Sequence, residues 1–156
     1  MSSAYDKIIE LLGTNSIEYE LYEHEPVYTS EQAARVRGDV NIHQGAKALV
    51  LQADKKFILF VLPADLRADL DALQRELKVK KLRMASKESV EAKTGLTVGS
   101  IPPFGSVIGL KTFLDSRLSD NDEIAFNAAR HDKSIKMKYK DYVAIEKPKV
   151  INFNAT

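Results

Sequence analysis

The chain has 156 residues, of which 23 are basic and 22 acidic, for a net charge of +1. That length fits one domain with a sizeable core, and 44% hydrophobic with 29% charged residues is the ordinary balance of a globular protein in water. Near-neutrality excludes a global field for polyanions, and the lack of cysteine excludes disulfides, a thiolate nucleophile and a cysteine zinc site.

No long apolar run follows a basic start, so no signal peptide is expected, and the longest apolar stretch, 57–62, is far too short to span a bilayer. No membrane partner is expected, and the cytoplasm is the expected location. Residues 3–13 predict an amphipathic helix with Ile8, Ile9, Leu11 and Leu12 on its apolar side and Gly13 closing it. Residues 17–23 alternate and predict a half-exposed strand, which His24-Glu25-Pro26 breaks. Thr29 as N-cap with Gln32 reaching back is a capping-box pattern, starting a short helix that ends at Gly38. Residues 46–52 and 57–62 predict two strands in a hairpin, both apolar on both faces and therefore central.

Leu66, Leu70, Leu73 and Leu77 recur at helical spacing behind Asp65, a good N-cap. Residues 81–85 predict a short strand, and Ser86 caps a helix ending at Thr94-Gly95. A Gly/Pro loop follows, then short strands at 107–110 and 112–114, and another at 123–127. Residues 134–140 alternate, which points Ile135, Met137 and Tyr139 inward and the lysines outward. Asp141 is the expected cap of a short helix over 142–145, and 147–156 the expected loose tail, with an edge strand at 150–153. Helices and strands are interspersed without steady βαβ alternation. The expected architecture is a single α+β domain over 1–156, with a mixed, barrel-like sheet and flanking helices.

Three segments bear chemistry. Lys47 sits in the apolar run 45–51, where a desolvated ammonium needs an anion or carbonyl partner or loses its proton. The alternative is a lysine at the strand's start that reaches out to water. Residues 99–105, Gly-Ser-Ile-Pro-Pro-Phe-Gly, form a stiff kinked loop in which the amides of Gly99, Ser100 and Ile101 could line an anion- or carbonyl-binding concavity. A plain rigid connector is the competing reading. In 125–134, Ala128 and Ala129 would let a ligand approach a strand end, with Asn127, His131 and Ser134 as hydrogen-bonding candidates; a polar turn explains the segment equally well.

Three scattered histidines show no metal-ligand spacing, so neither a metal nor another cofactor is expected. No nucleophile elbow, Walker motif or dinucleotide fingerprint occurs. Basic clusters at Lys78, Lys80, Lys81 and Arg83, and at Lys133, Lys136, Lys138 and Lys140, could meet phosphates or could be solvated faces.

Taken together these segments resemble the YbaK family, also known as the prolyl-tRNA synthetase-associated editing domain. The resemblance runs from about Tyr19 to Ile145. It is carried by 23–29 (Glu-His-Glu-Pro-Val-Tyr-Thr), the lysine strand 45–50, 61–65, 81–86, the Gly/Pro loop with its approach (94–105), and 126–135. It implies a free-standing, metal-free aminoacyl-tRNA deacylase that hydrolyses the ester of a mischarged small amino acid, with tRNA-Pro as the expected carrier. It carries the family's essential lysine onto Lys47 and its Gly-x-x-x-Pro loop onto Gly99, Ser100, Ile101 and Pro103. Tyr28, Asn127, Ala128, His131 and Ser134 would then shape the amino-acid pocket. The cleaving group would be a water or a ribose hydroxyl of the substrate.

The chain departs from two subgroups of the resembled family. It has Lys47-Ala48 where alanine-specific members look to have Lys-Asn, and Ala128-Ala129 where cysteine-specific members look to have Gly-Gly. The expected partners are the 3′ end of a mischarged tRNA and an aminoacyl-tRNA synthetase. The alternative is a non-catalytic binding module of the same fold that docks on a synthetase or binds a nucleotide.

Overall fold

A computed structural model describes residues 3–28, 32, 33, 35 and 42–152. The helix expected between Thr29 and Gly38 lies largely outside the described residues. Within them, the Gln32 side chain accepts from the Tyr28 amide at 2.9 Å.

Helix α1 spans Ala4–Thr14, opened by a capping box between Ser3 and Asp6. It runs through Gly13 and closes at Asn15, whose amide side chain donates to the Leu11 carbonyl at 2.7 Å. Ile8 and Leu12, four apart on one face, are fully buried. Cutting either back to alanine removes about 2–5 kcal/mol of stability.

Strand β1 is Tyr19–Glu23, β2 is Ala46–Ala53 and β3 is Lys56–Pro63. β2 and β3 form the expected antiparallel hairpin, with Asp54 in the left-handed region (φ 55°) at its turn. Helix α2 is Leu70–Leu77. Its N-cap is Asp69, whose side chain accepts from the Ala72 amide, and not Asp65. Leu66 lies before the helix, its amide turned back to the Pro63 carbonyl. Strand β4 (Leu82–Met84) and helix α3 (Lys87–Thr94, between Ser86 and Gly95) fall where the sequence puts them.

No strand forms at 107–110. A 3-10 turn at Gly105–Val107 continues into a bend in which Ile108 and Leu110 both donate to the Gly105 carbonyl, and Gly109 takes a positive φ of 75°. A Cβ at Gly105 would stand 2.3 Å from the Leu110 oxygen, so this bend requires glycine. Strand β5 (Lys111–Asp115) follows, then a 3-10 turn at Ser116–Asp120, β6 (Glu123–Asn127) and β7 (Lys133–Lys138). Helix α4 is Tyr139–Glu146 and starts at Lys138 with no side-chain cap; Asp141 sits in its first turn instead of capping it. Strand β8 (Lys149–Ile151) is the edge strand expected at 150–153, and its Ile151 is buried, so this part of the expected tail is anchored. Phe153 lies outside the described residues.

The strands form two sheets, one ordered β1-β7-β6 and one β4-β2-β3-β5-β8. β3–β5 and β5–β8 are parallel; the other pairs are antiparallel. The expected barrel does not close: among the described residues a single parallel bridge, Gly45 to Ala125, joins the sheets. The architecture is mixed α+β, as expected. One core lies between the sheets and takes in Val50, Leu59, Val61, Phe104, Phe126, Ile135, Met137 and Tyr142. A second lies on the other face of the larger sheet, where Leu51, Phe60, Leu62 and Phe113 meet Leu73 of α2. β2 and β3 are thus covered on both faces, the physical reason for their unbroken apolar character.

Candidate active site

Residues of β2 alternate between the two cores. Ala46 and Val50 belong to the first core, and Leu51 and Ala53 to the second. Lys47 has the parity of the second group and reaches toward the turn before α2. There its half-buried ammonium donates to the Leu66 carbonyl at 2.8 Å. That bond explains why Leu66 stands outside the helix its spacing suggests.

Lys47 lines a hollow of about 210 Å³ that it shares with Gly45, Ala48 and Leu49 from its own strand, Val98, Gly99 and Ile101 from the Gly/Pro loop, Phe126 and Asn127 from β6, and Tyr28. The parallel bridge between Gly45 and Ala125 brings these segments together, for it joins the start of β2 to the middle of β6. The only ionisable side chains on the lining, among the described residues, are Lys47 and Tyr28.

The loop is held from three sides. Gly99 has φ 97°, a conformation open to glycine, and a Cβ there would stand 3.2 Å from the His131 ring. The Gly99 carbonyl accepts from Asn127 Nδ2 at 2.7 Å. Ser100 is buried, and both its amide and its hydroxyl donate to the Thr97 carbonyl. Of the three amides expected to be available, the Ser100 amide is therefore committed. The Gly99 and Ile101 amides donate to no acceptor among the described residues. Pro103 is buried away from the hollow, and its carbonyl accepts from the Tyr142 hydroxyl at 2.6 Å. Burial of that phenol pushes its pKa well above the usual tyrosine range, so it remains a donor.

The remaining expected pocket residues divide. Tyr28 and Asn127 line the hollow; Ala128, His131 and Ser134 do not. Ala128 and Ala129 are buried members of the first core, so their small size serves packing and not ligand approach. His131 is a brace. Its Nδ1 donates to the Val27 carbonyl at 3.0 Å, leaving Nε2 to accept from Thr97 Oγ1 at 2.8 Å, while its ring packs 4.4 Å from that of Tyr28. Ser134 is fully buried and bonds His24 Nε2 at 2.8 Å and Asn127 Oδ1 at 3.3 Å. His24, Ser134, Asn127 and Gly99 thus form one chain of contacts that ends on the loop.

One group escaped the sequence. His43 Nδ1 lies 2.8 Å from Asp65, and its Nε2 lies 3.4 Å from Asp120. The hydrogen bond to Asp65, with smaller help from Asp120, raises its pKa above the ordinary 6.5. The group ties the turn entering β2 to the segment whose Leu66 carbonyl receives Lys47. No local spacing could have revealed it, since its members come from three separate loops. Among the described residues no three His, Cys, Asp or Glu side chains cluster to hold a metal ion, and no helix is long and apolar enough to cross a membrane.

This geometry can be set beside known proteins. The profile of the aminoacyl-tRNA editing domain matches residues 24–145. The chain is 36% identical, over 99% of its own length and 95% of the relative's, to the multifunctional Ser/Thr-tRNA deacylase ProXp-y of Escherichia coli K12. It is 28% identical, over 97% and 96% of the two lengths, to the prolyl-tRNA editing protein ProX of Acetoanaerobium sticklandii. A crystal structure described as a candidate trans-editing enzyme for prolyl tRNA synthetase superposes with a TM-score of 0.83 at 25% identity, covering 97% of each chain. The protein is a member of the aminoacyl-tRNA editing domain family.

Proposed function

We propose that this protein is a trans-acting aminoacyl-tRNA deacylase, a hydrolase that cleaves the ester between a mischarged small amino acid and the 3′-terminal ribose of a tRNA. The observation that carries this reading is that Lys47 lines one hollow together with Gly99 and Ile101 of the Gly/Pro loop. In the proposed mechanism the Lys47 ammonium holds the terminal phosphate or the ester carbonyl. The Gly99 and Ile101 amides receive the oxyanion that develops when the carbonyl is attacked. With no carboxylate or imidazole on the lining among the described residues, the attacking oxygen is that of a water, which the substrate's own free ribose hydroxyl helps to orient. The ester is activated, and the protein's contribution is to hold the reactants in line. Water adds across the ester; the products are the free amino acid and a tRNA with its ribose hydroxyl restored.

A hollow of about 210 Å³ suits a small side chain. The relative named a Ser/Thr-tRNA deacylase makes serine and threonine the acyl groups to test first, and the relative named a prolyl-tRNA editing protein makes tRNA-Pro the first carrier. The site of action proposed is the cytoplasm, beside the synthetases that charge tRNA. The test is a panel of alanyl-, cysteinyl-, seryl- and threonyl-tRNAs incubated with the purified protein in the presence of EDTA. Hydrolysis of seryl- or threonyl-tRNA above background is expected. Silence across the panel with retained binding to a synthetase overturns the reading in favour of a binding module.

A further inference from the structure

A second concavity, of about 1170 Å³, lies at the opposite end of the β2–β3 hairpin from Lys47. Six cations line it: Lys55 and Lys56 at the hairpin turn, Lys80 and Lys81 before β4, Arg83 in β4 and Lys111 at the start of β5. All six are exposed. Among the described residues the single carboxylate on the lining is Asp54, and its oxygens accept the backbone amides of Lys80 and Lys81 at 3.1 and 2.9 Å. Among the described residues none of the six cations has an ion-pair partner. The floor is apolar, with Phe57, Leu77 and Phe113 among its residues. In a chain of net charge +1, this concentration of positive charge is a local feature.

The other basic run is different. Lys133 pairs with Glu23 at 2.8 Å, and Lys136 lies 3.4 Å from Glu20. Those two charges are paired within the small sheet, and neither they nor their neighbours Lys138 and Lys140 line the Lys47 hollow or this concavity.

We infer that the groove is a docking surface for the sugar-phosphate backbone of an RNA stem, belonging to the same tRNA whose 3′ end enters the Lys47 hollow. The inference rests on the deacylase reading for the identity of the RNA. Lys47 and Ala53 share the parity of one face of β2, so the cation of the hollow and the wall of the groove lie on the same side of the sheet. Six residue steps along the strand separate them by roughly 20 Å, a distance suited to a substrate whose reactive end is a single-stranded tail on a duplex. A nearly neutral protein gains affinity for a polyanion through such a patch and not through its overall field. Cations contributed by four segments, spread along a wide groove, fit a row of phosphates.

The test compares wild type with a variant carrying Lys55→Gln, Lys56→Gln, Lys80→Gln and Lys111→Gln. Binding of unacylated tRNA is followed by fluorescence anisotropy over a salt series, with circular dichroism as the check on folding. The variant is expected to bind at least about 10-fold more weakly at roughly 0.1 M salt, with a log–log salt slope smaller by about three. On mischarged tRNA its KM should rise with kcat retained, while turnover of an aminoacyl-adenosine, which lacks a stem, stays at the wild-type level.

Unchanged tRNA affinity and slope overturn the inference, as does a wild type that binds no tRNA. Loss of binding to a synthetase with tRNA affinity intact also overturns it, and assigns the groove to an acidic protein surface. Should the fourfold variant fail to fold, Lys55→Glu and Lys111→Glu made singly must each weaken tRNA binding, and two silent substitutions reject the groove. Because the binding arm needs no hydrolysis, a failed deacylase reading and a failed docking surface give different results.

Discussion

The side-chain amide of Asn127 donates to the carbonyl of Gly99 at 2.7 Å, fastening the last residue of β6 to the loop that borders the hollow. Asn127 is itself held through Ser134 and His24. Three side chains from separate segments therefore fix the Gly99–Ser100 peptide, and with it the course of the loop beside the hollow. Asn127→Asp keeps the shape but presents an acceptor to an acceptor, so it should lower kcat/KM on mischarged tRNA about 10-fold or more and destabilise by roughly 1 kcal/mol. Kinetics paired with thermal melting measure both; wild-type kcat/KM would show that the loop needs no such tether.

The two glycines that flank the loop should fail differently. Gly99→Ala meets a φ of 97° and a Cβ contact of 3.2 Å to the His131 ring, which can yield by a few tenths of an ångström. It should fold with a loss of about 1–3 kcal/mol and a marked loss of activity. Gly105→Ala puts Cβ 2.3 Å from the Leu110 oxygen and 2.4 Å from Thr112 Oγ1, in buried surroundings. It should cost at least the upper end of the roughly 1–3 kcal/mol typical of overpacking, and give poorly soluble protein. Melting midpoints in the reverse order would contradict the packing described.

His43 sets a pH dependence. Its folded pKa is raised above the ordinary 6.5, first by the hydrogen bond to Asp65. A raised folded value means that the contribution to stability is fully present below the unfolded value and is lost as pH rises through the folded one. Thermal midpoints taken at pH about 6 and about 8.5 should therefore fall more with rising pH in wild type than in His43→Gln. Parallel curves would remove His43 from the stability of this corner.

Much of the fold was legible because its signals are local. β2 and β3 are apolar on both faces, β6 was bounded at its observed ends, and Ser86 with Gly95 marks both ends of α3. Two of the errors share one cause, which is that a distant partner overrode a local pattern. Leu66 keeps helical spacing, yet its carbonyl is taken by Lys47 and its neighbour Asp65 by His43, so the helix waits for Asp69. Lys136 keeps strand alternation, yet it lies in the middle strand of its sheet, only 9% exposed and close to Glu20.

The hollow itself followed from no single segment. Lys47, Tyr28, Gly99, Ile101 and Asn127 were all named from the chain, whereas their meeting depends on the Gly45–Ala125 bridge between two sheets. Ser100, Pro103, Ala128, His131 and Ser134 were also named, and they stand behind the lining as supports.

Lys47→Ala is the most direct trial of the whole reading. The substitution removes the ammonium from the hollow and leaves one carbonyl, that of Leu66, without this donor. The rate of deacylation of a seryl- or threonyl-tRNA, measured with enzyme in excess, should fall about 100-fold or more, while circular dichroism and a cooperative melt remain those of a folded domain. A folded Lys47→Ala protein that deacylates at the wild-type rate would contradict it, and would place the chemistry outside this hollow.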